Sequence, residues 1–273
     1  MQPSKELSSL GKRPQKQLGQ NFLVDRNIRE KILNACSLNA DDTVLEIGAG
    51  KGELTELIAG KVNSVYALEI DKRLFDLLVS EFSNRCNVKL INADILKFDL
   101  SKIKPAGGKL IVFGNIPYYI SSPIIEHMFK YRQLISDIFL TVQKEFAERV
   151  VASAGTKKYG SFSCFAQYYS APKIIFNIGK GCFRPQPKVD SAFLRLSIRK
   201  DPPVNVDDEN NLFRIIRAAF NKRRKTLRNS LEGVVPKAEL EDFLFKNKLD
   251  KNIRPERLTL EEFAKLSNMQ KKT

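Results

Sequence analysis

"VLEIGAGKGELT", residues 44–55, decides how the rest of the chain is read. Residues 44–47 read as a buried strand that runs directly into Gly48, Gly50 and Gly52. A helix then opens at Glu53, with Leu54, Leu57 and Ile58 at helical spacing and Gly60 as its stop. Glycines allow the sharp turn such a junction needs and let a ligand approach the backbone closely. The spacing is G-x-G-x-G, whereas dinucleotide binders carry G-x-G-x-x-G. Glu53 follows the last glycine and would repel a pyrophosphate, and no second nucleotide-binding half follows.

Strands and helices alternate outward from this turn. "SVYALEID" (64–71), "VKLINADIL" (88–96), "KLIVFGNIP" (109–117) and "SDIFLTVQ" (136–143) read as strands. "KRLFDLLVSEF" (72–82) and "PIIEHMFKYR" (123–132) read as helices. This alternation predicts right-handed crossovers and a parallel sheet buried on both faces. "IIFNIG" (174–179) and "AFLRLSIR" (192–199) read as paired strands closing the sheet. Near the start, Asp25 is placed to cap a helix carrying Ile28, Ile32, Leu33 and Cys36 on one face. "KDPPVNVDDENN" (200–211) reads as a linker, and only helical segments follow it. The expected organisation is a mobile basic arm over residues 1–20, an α/β domain of Rossmann-like type over 21–200, and a small all-helical domain over 201–273.

Composition narrows the function. The 273 residues suffice for one large domain or two, and 42% hydrophobic content supports a core. No apolar run approaches the ~18 residues that a membrane span needs. The first twenty residues lack the apolar centre of a secretory signal. Cys36, Cys86, Cys164 and Cys182 are scattered without a C-x-x-C pair and read as free thiols in a cytoplasmic protein. His127 is the single histidine, which leaves little room for a His-based triad or a His-rich metal centre, and no metal is expected. A formal net charge of +15 points to a polyanionic partner. Nucleic acid fits better than an anionic membrane surface, because no basic amphipathic helix stands beside exposed aromatics.

The strand ends carry the chemistry. Glu69 ends the second strand, where an acid is positioned to take two ribose hydroxyls. Asp94 ends the third strand and can accept from an adenine amino group while Ile95 covers the ring. Ligands of open α/β sheets gather at these carboxyl ends. The pattern fits S-adenosylmethionine, an adenosine joined to an amino acid with no pyrophosphate to hold. "GNIPYYIS" (114–121) ends the fourth strand beside the same crevice. The 6-amino group of adenine is a poor nucleophile, because its lone pair is delocalised into the ring. The Asn115 side-chain oxygen and the backbone carbonyl of Ile116 can hold its two hydrogens, and Pro117 stiffens the turn without an N–H to compete. These acceptors orient the lone pair by position and electrostatics rather than by general-base chemistry. Tyr118 offers a face on which an extruded base can stack.

At this point the chain resembles the universal small-subunit ribosomal RNA adenine dimethyltransferases, relatives of the erythromycin-resistance methylases. The matching stretches are "GQNFLVD", "VLEIGAGKGELT", "ALEID", "NADIL", "GNIPYYISSPII", "QKEFAERV", "YGSFSCFAQYY", "FRPQPKVDSAFLRL" and "AFNKRRKTLRNSL", in family order over most of residues 15–231. Ile116 stands where many bacterial members have Leu. The final forty residues match only in being helical and in "RLTLEEFAKL". The resemblance implies that Asn21 and Leu23 line the methionine and adenosine end of the cofactor pocket, which Gly48, Gly50, Glu69, Asp94 and Asn115 complete. It implies transfer of four methyl groups, two to each of two adjacent adenosines near the 3′ end of small-subunit rRNA. The donor becomes S-adenosylhomocysteine, and the substrate is a pre-ribosomal 30S-type particle, met by a monomer.

On the RNA side, Arg217, Arg223, Arg224 and Arg228 are the expected phosphate contacts. As one helix, residues 212–231 place Phe213, Ile216, Phe220, Leu227 and Leu231 in an apolar stripe with Arg217, Arg224 and Arg228 beside it, and no acid interrupts the run. The "FRPQPK" loop, with Phe183, Arg184 and Lys188, is read either as lying near the target base or as a structural loop. Three rival functions stand against this reading. A non-catalytic ribosome-assembly or transcription factor would not need the intact glycine loop, Glu69, Asp94 and "NIPY". A nicotinamide dehydrogenase conflicts with the loop spacing. A DNA adenine methylase predicts activity on duplex DNA.

Overall fold

The computed structural model describes residues 20–105, 108–222 and 224–270. The expected basic arm, apart from Gln20, lies outside the described residues, as does Arg223. In chain order the elements are β1 (Phe22–Leu23), α1 (Arg26–Ala35), β2 (Thr43–Ile47), α2 (Glu53–Ala59), β3 (Ser64–Glu69), α3 (Lys72–Phe82) and β4 (Val88–Asn92). There follow β5 (Leu110–Asn115), α4 (Ser121–Lys130), β6 (Ile135–Gln143), α5 (Lys144–Val150), α6 (Ser161–Tyr169), β7 (Ser170–Ile178), β8 (Phe183–Arg184) and β9 (Ser191–Ile198). The last helices are α7 (Glu209–Asn221), α8 (Leu227–Ser230), α9 (Lys237–Lys246) and α10 (Leu260–Met269).

Seven strands form one sheet in the order β4-β3-β2-β5-β6-β9-β7. The five strands from β4 to β6 run parallel, and β9 lies antiparallel between β6 and β7, so the late hairpin closes the sheet as the sequence predicts. β2 is buried at all five positions, as a parallel strand covered on both faces must be. From β2 the chain works outward through β3 and β4, then returns to the other side of β2 with β5. The order therefore reverses between β2 and β5, and their carboxyl ends open the crevice that such a switch point creates.

Local chemistry sets the element ends. Asp25 caps α1 by accepting from Ile28 N–H at 3.1 Å. β4 stops at Asn92, two residues short of the expected Asp94. Asn92 Nδ2 donates to the Glu69 carbonyl at 2.8 Å, and Asp94 Oδ1 accepts from Leu96 N–H at 3.0 Å, which folds the chain into an Asx turn instead of a longer strand. At the expected linker, Asp208 accepts from the N–H groups of Asn210 and Asn211, so α7 begins inside it.

The single helix expected over residues 212–231 is broken: α7 stops at Asn221, and α8 starts afresh after its cap, Thr226. After Phe220 the next stripe positions, three and four residues on, are Arg223 and Arg224, so the next turn has nothing to bury. A run of like charges three and four apart opposes the helix further.

Two apolar layers sandwich the sheet. On one face Phe113, Phe139 and Phe193 stack in succession, with centroids 5.2 and 5.8 Å apart, beside Leu23, Ile32 and Phe183. On the other face the core runs without interruption from the sheet into the C-terminal helices. Phe213 of α7 is the joint, with its ring 5.3 Å from Phe165 and 5.2 Å from Tyr168 of α6.

Candidate active site

The cleft at the switch point encloses about 850 Å³, counting the open solvent at its mouth. Its walls hold Asn21, Gly48, Gly50, Glu69, Asp94, Asn115, Pro117 and Tyr118, so nearly every expected site residue converges there. Leu23 does not. It is 7% exposed, packs in the core beside Ile32 and Phe183 and lines a neighbouring recess.

The glycine turn is closed by Glu69. Gly50 N–H donates to Glu69 Oε2 and Asp71 N–H to Oε1, each at 2.9 Å, so the end of β3 staples the loop that follows β2. Each carboxylate oxygen keeps a further lone pair, enough for two vicinal hydroxyls. Burial holds the Glu69 carboxyl above its ordinary range, and the two backbone donors pull it back. Gly50 has φ +61°, and a Cβ there would stand 3.2 Å from the Phe22 ring. At Gly52, φ +81°, a Cβ would meet Phe82 at 2.5 Å, so α2 reaches its seat against α3 only with glycine. Below the loop, Glu46 is buried and shares a hydrogen bond with the Thr55 hydroxyl; desolvation pushes its carboxyl up to about 8.

Among the described residues lining the cleft, the charged side chains are Glu69 and Asp94, both acids, in a chain of net charge +15. That polarity favours a positively charged ligand with hydroxyls to donate and opposes a pyrophosphate. Asp94 spends Oδ1 on its turn, which leaves Oδ2 for an amino group. Ile70, 51% exposed, and buried Ile95 both line this part of the cleft and give a flat ring apolar contacts. The sequence reading found Ile95 and missed Ile70, although its place directly after the strand-end acid is a usable signal.

Asn115 Nδ2 donates to the Asn21 carbonyl at 2.9 Å, so Oδ1 remains to accept. Among the described residues nothing donates to the Ile116 carbonyl. The turn is therefore built around acceptors. Tyr118 shares a 2.7 Å hydrogen bond with Ser191 Oγ at the start of β9, and burial holds its phenol above the ordinary tyrosine range. The "FRPQPK" loop belongs to the frame: Phe183 is fully buried and pairs with Leu23, and Arg184 pairs with Phe22. One segment, residues 183–191, thus supports both Asn115, through β1, and Tyr118, through Ser191. Nothing in the spacing of Ser191 announced this.

Away from the cleft, His127 sits on α4 with Nε2 3.0 Å from the Phe98 carbonyl and its ring against Tyr131. Among the described residues no three His, Cys, Asp or Glu side chains gather as a metal ion would need, and no helix is long and apolar enough to cross a membrane.

The basic face differs from the single-helix expectation. Arg228 pairs with Glu241 of α9, an acid outside the run that the sequence reading scanned, and is taken up within the helical region. Arg217 is exposed but turns its Nε back to the Phe213 carbonyl at 3.1 Å. Arg224 and Lys225 stand exposed on the turn between α7 and α8. Two distant segments join them. Gly155 N–H donates to the Glu256 carbonyl at 2.6 Å, the rings of Tyr159 and Phe220 meet at 5.9 Å, and Leu227 N–H donates to the Ile253 carbonyl at 2.8 Å. Exposed Lys157, Arg254 and Arg257 therefore extend the basic turn across the junction of the sheet with the helices.

The sequence profile of the family described as ribosomal RNA adenine dimethylase matches residues 11–272. A protein named ribosomal RNA small subunit methyltransferase A from Lachnoclostridium phytofermentans is 44% identical over 263 residues, covering 93% of this chain and 91% of its own. The protein of the same name from Oceanobacillus iheyensis is 40% identical over 277 residues, covering 97% and 94%. Among solved structures, 23S rRNA methyltransferase ErmE superposes with TM-score 0.71 at 26% identity, over 91% of this chain and 99% of its own. A dimethyladenosine transferase from Plasmodium falciparum superposes with TM-score 0.72 at 24% identity, over 90% and 95%, which is a likeness of fold.

Proposed function

Since the chain belongs to the ribosomal RNA adenine dimethylase family, we propose that it dimethylates the 6-amino groups of two adjacent adenosines near the 3′ end of small-subunit rRNA. The donor is S-adenosylmethionine, which leaves as S-adenosylhomocysteine, and the substrate is a pre-ribosomal particle in the cytoplasm. The observation that carries this reading is the pairing, in one cleft, of an acidic ligand wall with a turn that presents acceptors.

Glu69 takes the two ribose hydroxyls on its spare lone pairs, Asp94 takes the adenine amino group, and Ile70 and Ile95 contact the ring. Gly48 and Gly50 bring backbone against the methionine portion. The bound donor supplies a methyl group activated by a positively charged sulfur. The protein's part is to hold the attacking amine. Asn115 Oδ1 and the Ile116 carbonyl accept its two hydrogens, which turns the lone pair out of the ring plane and toward the cofactor side of the cleft. The Asn21 carbonyl holds the Asn115 amide in the orientation this needs. Tyr118, fixed by Ser191, gives the extruded base a face to stack on. Arg217 and the exposed cations of the α7–α8 turn meet phosphates.

Radiolabelled methyl transfer from S-adenosylmethionine to immature small subunits tests the reading. Four methyl groups per particle on two neighbouring adenosines is the expected result; no incorporation, or incorporation into duplex DNA instead, refutes it.

A further inference from the structure

Two consecutive tyrosines line the cleft and are treated differently. Tyr118 is half-buried, and its hydroxyl is bonded to buried Ser191. Tyr119, next on the same single helical turn, is 63% exposed yet lines the same cleft. Among the exposed large hydrophobic residues described, only Ile70 and Tyr119 line this cleft, and Ile70 serves the cofactor end. An aromatic ring left in water at a cleft mouth contributes little to folding and much to a ligand with a flat face.

We propose that Tyr119 is a second stacking face, which binds the nucleobase next to the target adenosine in the RNA strand. The inference rests on the proposed function, whose substrate is a pair of adjacent adenosines. On one 3-10 turn consecutive side chains diverge by about 120°, so the two rings offer separate faces, as an extruded base and its neighbour in the strand require. Tyr118 takes the base whose amine faces Asn115, and Tyr119 takes its neighbour. Stacking on an aromatic face is indifferent to base identity, so the same ring serves whichever of the two adenosines is outside.

The test compares Tyr119→Ala with Tyr119→Phe in steady-state methylation of immature small subunits, alongside direct titration of S-adenosylmethionine. Loss of one stacked base raises KM for the particle roughly tenfold in Tyr119→Ala, with kcat within about twofold. Tyr119→Phe keeps the wild-type KM, and both variants bind S-adenosylmethionine normally. An unchanged KM in Tyr119→Ala overturns the inference. So does a Phe variant as impaired as Ala, which would assign the effect to the hydroxyl, or a parallel loss of cofactor affinity, which would put the ring on the cofactor side. A wild-type protein that methylates nothing removes the proposed function and this inference together; an active wild type with an indifferent Tyr119→Ala removes the inference alone.

Discussion

The cleft at the ends of β2, β3 and β5 and the turn between α7 and α8 carry opposite charge and are assembled in opposite ways. Among the described residues the cleft gathers two acids and no lysine or arginine in its lining. The turn gathers Arg224 and Lys225 and borrows Lys157, Arg254 and Arg257 from segments far away in the chain. A sulfonium needs the first environment and a phosphate chain the second. Glu69 and Asn115 end their strands, and Gly48, Gly50 and Asp94 follow just beyond theirs, so the strand register places them. Each member of the basic face is placed by contacts between loops, and its neighbours change wherever those loops move.

If the two regions divide the work, variants in one should leave the other's property intact. The largest effect belongs to the acceptor turn: Asn115→Ala lowers kcat roughly 10²–10³-fold while particle affinity stays within about twofold, because the lost hydrogen bond matters most in the transition state. Equal losses in kcat and particle affinity would break the division. Next comes Glu69→Ala, which removes two hydroxyl acceptors and the staple on Gly50. Its Kd for S-adenosylmethionine, read by calorimetry, rises roughly ten- to a hundredfold with RNA affinity unchanged. On the other side, Arg224→Glu together with Lys225→Glu weakens particle binding about tenfold, flattens the salt dependence by roughly two counterions and leaves cofactor affinity alone. The smallest effect sharpens the boundary of the basic face: Arg228→Ala costs about 1 kcal/mol of stability, by urea denaturation, because its pair with Glu241 is one-third exposed. Its RNA affinity stays at the wild-type value; a loss as large as that of the double variant would return Arg228 to the phosphate-binding set.

The same contrast explains what could be read from the residues alone. The glycine stretch, Glu69 and Asn115 announce themselves because strand-then-polar-residue is a local pattern, and a parallel sheet turns that pattern into shared space. The place of Asp94 at the cleft was legible but its place on a strand was not, since β4 ends at Asn92, whose side chain bonds the Glu69 carbonyl. The broken helix was hidden by its own composition: seven cations suggested one surface, and only the absence of an apolar residue between Phe220 and Leu227 hinted at the break. The ion pair of Arg228 was not legible because its acid, Glu241, comes from α9, and no scan within the run meets it. Ser191, Lys157 and Arg254 act through tertiary neighbours that no spacing encodes. Phe183, read as either near the base or structural, is structural because β1 returns to pair with it.

A crystal structure with S-adenosylmethionine bound tests most directly whether the acidic cleft and the acceptor turn form one reaction site. The account predicts the ribose hydroxyls on Glu69, the adenine ring against Ile70 and Ile95, and Asn115 Oδ1 on the side from which the methyl leaves. A donor seated outside the cleft, or an Asn115 amide turned so that Nδ2 faces the methyl, would contradict it.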